Sequence, residues 1–221
     1  MKIRGVILFA VLPSLFLLAL AFAVDRPVAR LMTHNDPAVI ALCRFFSWFG
    51  QGGVILYPTG LILLCAVAAQ KLRPNLPRWL GPVIARVAIV FAVVAVAGLI
   101  NDLLKIVFGR ARPALWLAGD ESGFGFFRVG ARFASFPSGH TATSVAAALV
   151  FGALLPRWRW PFLAAASLIA LSRIGVGAHY PSDVVGGAII GGLVAAALIR
   201  QARIRGWMQA SAIQESGTGE R

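Results

Sequence analysis

The 221-residue chain is predicted to be an all-α integral membrane protein, a single bundle of about six transmembrane helices. Three observations predict it. Hydrophobic residues make up 59% of the sequence and charged residues only 13%, with a mean hydropathy of +0.81, beyond the apolar share of a soluble domain. Apolar runs of about 20 residues, long enough to cross a bilayer, recur along most of the chain. The basic residues behind a formal net charge of +13 fall in short clusters between those runs, as topology signals do, rather than on the extended face that nucleic acid requires. No nucleic-acid partner is expected.

In chain order the first run, Gly5 to Val24, follows Lys2 and Arg4. It is long enough to span, although Ala21-Phe22-Ala23 also resembles a signal-peptide cleavage site. Within Asp25 to Gly53, apolar residues at near-helical spacing from Pro37 to Phe49, with Arg44 and Trp48, fit either an interfacial helix or a connecting loop. Further spans are expected at Val54 to Gln70, Val83 to Leu104, Thr141 to Leu155, Pro161 to Ala178 and Val184 to Arg200. The fourth is short and Ala-rich, which suits a helix packed closely inside the bundle. Residues 1–205 form one domain, and 206–221 read as a polar, disordered cytoplasmic tail, most clearly from Gln214 to Arg221. Cys43 and Cys65 have no metal-ligand spacing and receive no role.

Counting positive charges orients the array. Lys2 and Arg4, then Lys71, Arg73 and Arg78, then Arg157 and Arg159, then Arg200, Arg203 and Arg205 fall on one side, which is expected to be cytoplasmic. The opposite, periplasmic face receives Asp25 to Gly53, the long Lys105 to Gly139 connection and the stretch around His179.

That face collects the polar residues. Lys105 and Arg112 are seven apart and share a face if the segment is helical, although Pro113 disfavours helix at Arg112. Two cations held together suit a doubly charged phosphate, and a basic cluster anchoring a helix end also accounts for them. In Phe136-Pro137-Ser138-Gly139-His140-Thr141, Ser138 is a candidate N-cap and Gly139 permits close backbone approach, so N–H groups at the helix start would face an anion. His140 would stand beside that anion or serve as an interfacial structural histidine. In Ser172-Arg173 through His179 to Asp183, His179 and Asp183 are four apart, and Pro181 is tolerated in a first helical turn. Asp183 is thus expected to accept the ring N–H of His179, fixing its tautomer and sharpening its other nitrogen as nucleophile or base.

Together these segments resemble the type 2 phosphatidic acid phosphatase superfamily, which includes bacterial lipid phosphatases and, more distantly, vanadium haloperoxidases. The family pattern is a Lys, six residues and Arg-Pro; then Pro-Ser-Gly-His; then Ser-Arg, five residues, His, three residues and Asp. Lys105, Arg112, Pro113, Pro137, Ser138, Gly139, His140, Ser172, Arg173, His179 and Asp183 match every position, over about Lys105 to Asp183.

The resemblance implies that His179 attacks phosphorus and forms a phosphohistidine, with Asp183 orienting its ring. His140 would protonate the leaving alcohol and then serve as base for the attacking water. Lys105, Arg112, Arg173, Ser138 and the Gly139 N–H would hold the phosphoryl oxygens. No metal or other cofactor is implied, since three fixed cations supply the countercharge and no carboxylate cluster stands ready for magnesium. The partners are a lipid phosphate substrate and the surrounding membrane lipids, with no obligate protein partner. Polyprenyl pyrophosphate, phosphatidylglycerol phosphate, phosphatidic acid and the phosphates of lipid A all fit a pocket at the periplasmic surface of a bacterial inner membrane. Arg110, Arg128 and Arg132, with Trp116 and the Phe124 to Phe127 cluster, could meet a large anionic head group or anchor the interface. A transporter, a haloperoxidase and a non-catalytic lipid-binding protein are the competing classes. Asn101 and Asp102, near the end of the third span, are the ambiguous charged or polar positions for the transporter reading.

Overall fold

The computed structural model describes residues 3–73, 77, 79–120 and 123–208, with side chains from Leu12 onward. Nine α-helices occur among these residues: α1 (Ile3–Ala23), α2 (Asp25–Met32), α3 (Pro37–Phe49), α4 (Gly52–Leu72), α5 (Leu80–Phe108), α6 (Pro113–Leu117), α7 (Gly139–Leu154), α8 (Arg159–Gly175) and α9 (Pro181–Ile204). Each of the six expected spans is helical. By length and apolarity, however, only three stretches among the described residues could cross a membrane, Pro37–Leu72, Leu80–Phe108 and Pro181–Ile204, or four if α1 and α2, bent by 50°, count as one broken span. The tail from Gln214, Arg78 and the side chains of Lys2 and Arg4 lie outside the described residues.

Local chemistry sets the helix ends that matter for function. Asp36 caps α3, accepting the Ala38 N–H at 2.7 Å, and Pro37 supplies the first helical residue. The segment left open between helix and loop is therefore a helix, and it joins α4 in one 36-residue apolar stretch. At 1.5 Å per residue that stretch is about 54 Å long, well beyond a hydrocarbon core of about 30 Å. Helix α5 stops at Gly109, which takes φ +50°. A side chain there would be strained, and its Cβ would stand 2.5 Å from the Gly125 carbonyl oxygen. Lys105 and Arg112 consequently do not share a helix, because the chain turns away between them.

Helix α7 is the centre of the bundle and packs against α5, α8 and α9. It is buried along much of its length, as its small residues predict. Two glycines on α9 let it come close: a Cβ on Gly187 would lie 2.3 Å from the Ser138 carbonyl oxygen, and one on Gly191 2.3 Å from that of Ala142. Val93, Ala97, Ala146, Val150 and Ala195 fill the contact between α5, α7 and α9 without exposure. Large apolar side chains such as Phe16, Phe22, Tyr57, Leu61 and Leu64 cover the outer surface, as in a protein solvated by lipid. Around this bundle α1 packs on α9, α4 on α5 and α3 on α8.

The close α7 and α9 approach yields a stability prediction. Gly191→Val drives a side chain into backbone and is expected to destabilise the detergent-solubilised protein by at least about 1–3 kcal/mol. Gly192→Ala, where a Cβ meets nothing within 4 Å, is expected to stay within about 0.5 kcal/mol. Thermal melting of the two variants beside the parent checks both values.

Candidate active site

The starts of α7 and α9, the end of α5 and the last turn of α8 converge at one end of the bundle. At the start of α7, Ser138 holds the N-cap position, but its side chain caps no N–H. Its hydroxyl accepts a bond from Thr141 Oγ1 at 3.1 Å, while its own N–H donates to the Asp183 carbonyl at 2.9 Å. The Phe136–Pro137 bond before it is cis. Gly139 faces α5, where a Cβ would come within 3.1 Å of Lys105 Nζ and 3.2 Å of Asn101 Nδ2. Lys105 thus stands at the positive end of α7, beside the N–H groups that the helix leaves without acceptors.

His140 follows, half-buried, in the first turn. The α3–α4 junction lies against it: a Cβ on Gly50 would be 3.1 Å from His140 Cβ, and the Gly50 carbonyl accepts Thr143 Oγ1 at 2.9 Å. Arg173, Lys105, Arg112 and His179 are all within electrostatic reach of the His140 ring. One guanidinium nitrogen of Arg173 donates to Ser47 Oγ of α3 at 3.0 Å. Arg112 leaves α5 behind and is held by loop carbonyls, with Nε on Ala131 at 2.8 Å and one terminal nitrogen 3.5 Å from the Ala178 oxygen. Its charge is thereby set beside His179.

His179 is buried between α8 and α9. Its Nδ1 lies 2.8 Å from the Ser135 carbonyl oxygen and 3.6 Å from Asp183 Oδ2. The first distance is a hydrogen bond, whereas the second is too long for one and leaves the carboxylate as a close electrostatic neighbour. The expected bond to Asp183 is therefore replaced by one to a backbone carbonyl, with the carboxylate behind it. A carbonyl can only accept, so Nδ1 carries the proton and Nε2 keeps its lone pair. Burial holds the imidazole below its ordinary pKa, the Asp183 carboxylate opposes that, and Arg112 and Arg173 reinforce it.

Asp183 itself is fully buried and saturated. Its Oδ2 accepts Ser135 Oγ at 2.6 Å and the Tyr180 N–H at 2.8 Å, and its Oδ1 accepts Arg110 at 2.6 Å. Arg110 was assigned to a head group or an interfacial anchor; instead it is buried, between the rings of Tyr180 and Phe124. Its other terminal nitrogen binds Asp25 Oδ2 at 2.7 Å. Burial disfavours the Arg110 charge, but Asp183 and Asp25 outweigh it and raise its pKa. Asp25 also accepts the Ser182 N–H at 2.9 Å and the Ser182 hydroxyl.

All eight site residues inferred from the sequence, Lys105, Arg112, Ser138, Gly139, His140, Arg173, His179 and Asp183, lie in this region. The aromatic segment is partly structural: Phe124 and Phe126 pack with Phe108 and Phe136, while Trp116 lies under Arg26 and Arg30 of α2. Asn101 is buried against Pro137 and Asp102 pairs with Lys105 at 2.8 Å, so neither stands as a lone intramembrane charge. Asp25, Ser47, Ser135 and Ser182 escaped sequence reasoning. Only Asp25 carried a signal, as one of eight acidic residues in the chain placed directly after an apolar run. Among the described residues no group of three or more His, Cys, Asp or Glu side chains is placed to hold a metal ion.

The chain is similar to known membrane lipid phosphatases. The chain is 36% identical over 175 residues to a lipid A 1-phosphatase of Rhizobium etli, covering 77% of this chain and 70% of that protein. It is 33% identical over 193 residues to a lipid A 1-phosphatase of Rhizobium johnstonii, covering 83% and 75%. The crystal structure of Aquifex aeolicus LpxE superposes with a TM-score of 0.56 at 24% identity, over 81% of this chain and 96% of that one, and so shares the fold. The profile of the PAP2 superfamily matches residues 86–207, the segment that carries all eight site residues inferred from the sequence, and the chain belongs to that superfamily.

Proposed function

We propose that this chain hydrolyses a phosphomonoester or pyrophosphate of a membrane lipid through a phosphohistidine on His179, with the 1-phosphate of lipid A as its leading substrate. One observation carries the chemistry. The Ser135 carbonyl holds the Nδ1 proton of His179, so Nε2 is nucleophilic, with Arg112, Arg173 and His140 beside that ring and Lys105 beside His140. The Nε2 lone pair attacks phosphorus as the bond to the leaving oxygen breaks, and His140 gives that oxygen a proton. Water then attacks the phosphoenzyme, losing its proton to His140, and the P–N bond breaks to return the lone pair to His179. Charge spreading over the phosphoryl oxygens would meet the three cations and the first-turn N–H groups of α7.

The substrate follows from likeness and place. Identity to the two lipid A 1-phosphatases over more than two thirds of their length favours lipid A, and a site at the end of an apolar bundle favours a lipid head group over a soluble ester. Six spans, with α1, α7 and α8 joining the longer three crossings, put all the chemistry on one face. The positive charges on the opposite connections make that face periplasmic in a bacterial inner membrane.

Phosphate release by detergent-purified protein in excess EDTA, from lipid A, phosphatidylglycerol phosphate, polyprenyl pyrophosphate and phosphatidic acid, tests the activity. Lipid A is expected to be the best substrate, with release lost by at least about 10³-fold in His179→Ala and by about 10²–10⁴-fold in His140→Ala. Undiminished release by His179→Ala would overturn the phosphohistidine reading. Orientation is tested with Cys43 and Cys65 replaced by alanine: a membrane-impermeant maleimide should label Arg132→Cys in intact spheroplasts and Arg157→Cys only after permeabilisation. The reverse pattern would sink the periplasmic assignment.

A further inference from the structure

Two buried carboxylates share one buried guanidinium. Asp25, Arg110 and Asp183 are at most 5% exposed, and Arg110 bridges the two acids at 2.7 and 2.6 Å. With both acids ionised the trio carries a net charge of −1. Electrostatics at this burial are poorly screened, so where that excess points matters. Asp25 is closed in by Ser182, whose N–H and hydroxyl both donate to it. Asp183 Oδ2, 3.6 Å from His179 Nδ1, is the part of the trio that meets the catalytic ring.

We propose that Asp25 is a positioning residue for the reaction, consuming the charge of Arg110 so that Asp183 keeps a negative charge for His179. The inference rests on His179 being the nucleophile. As Nε2 gives its lone pair to phosphorus the ring becomes positive, and a carboxylate behind Nδ1 stabilises that change more in the transition state than in the ground state. Without Asp25, Arg110 alone would neutralise Asp183 and the ring would meet a net-neutral pair. The other groups facing the ring cannot replace the lost charge: Arg112 from the loop after α5 and Arg173 from α8 are cationic, and His140 from α7 is an imidazole. Asp25 acts from the break between α1 and α2, and so makes the N-terminal helices part of the site. It touches no phosphate ligand, so its effect belongs in kcat rather than KM.

A charge-rescue experiment tests this with Asp25→Asn, Arg110→Gln and the double variant, all in the full chain and assayed on the lipid that the parent hydrolyses best. Asp25→Asn is expected to lower kcat about tenfold to a hundredfold, with KM within about twofold of the parent. The double variant removes both charges, restores a lone carboxylate at Asp183 and should recover most of the lost kcat. Asp25→Asn with parental kcat, or a double variant no faster than Asp25→Asn although its thermal melting and gel-filtration profile match the parent, would overturn the proposal. A kcat loss that follows loss of folded protein would mean a structural role only and would overturn it too. His179→Ala in the same series separates the two levels: if it stays active the phosphohistidine reading fails, whereas if it is dead and Asp25→Asn is unimpaired only the role of Asp25 fails.

Discussion

Two carboxylates and a guanidinium buried in an apolar bundle would each cost several kcal/mol if they stood alone, so the Asp25, Arg110 and Asp183 trio must form as a unit or not at all. Much of the architecture follows from that constraint. Arg110 can reach both acids because α5 breaks at Gly109 and the chain doubles back, leaving the guanidinium between Tyr180 and Phe124. Asp25 can reach it because α1 and α2 bend by 50° there. Asp183 can reach it because α9 starts at Pro181, two residues after His179, and so places Asp183 in its first turn. Three separate stretches of chain are tied at one point, and that point lies directly behind the imidazole of His179.

The second constraint is backbone proximity. A helix start that is to meet an anion needs its N–H groups bare yet fixed, and the first turns of α7 are fixed by pressing onto Gly187 and Gly191 of α9. The Ser138 N–H is spent on the Asp183 carbonyl, so the α7 start and the α9 start move as one. On the other side the α3–α4 junction, with Gly50 against His140 and Ser47 on Arg173, completes the wall. The helix that the sequence left open as loop or interfacial segment thus belongs to the site.

Charge is divided between two zones. In the proposed mechanism the phosphate-facing side is cationic, through Arg112 and Arg173 beside His179 and Lys105 beside His140, while the face behind His179 is anionic through Asp183. Nucleophilic attack moves positive charge into the ring and negative charge onto the phosphoryl oxygens, so both zones stabilise the same displacement. The carbonyl of Ser135 adds the tautomer without adding a charge.

How much of this was legible depended on whether the information was local. Apolar run length, the basic clusters, and the spacing within Lys105 to Pro113, Pro137 to His140 and Ser172 to Asp183 are properties of contiguous residues, and they were enough to predict a helical membrane protein and to single out eight residues that the fold brings to one end of the bundle. Arg110 was misjudged because a side chain between two motif residues has no sequence mark of the direction it faces. Ser135 was invisible because its backbone oxygen, common to every residue, does the work. Asp25 and Ser47 lie 158 and 126 positions from Asp183 and Arg173, and no periodicity connects such distances. The sequence by itself determined the class of chemistry, since histidines, cations and a carboxylate at those spacings are set by the reaction. Only the tertiary structure decided which acid lies behind His179, which shares Arg110 with it and which carbonyl meets Nδ1, because those contacts depend on directions and distances that exist only once α1, α5, α7 and α9 have packed.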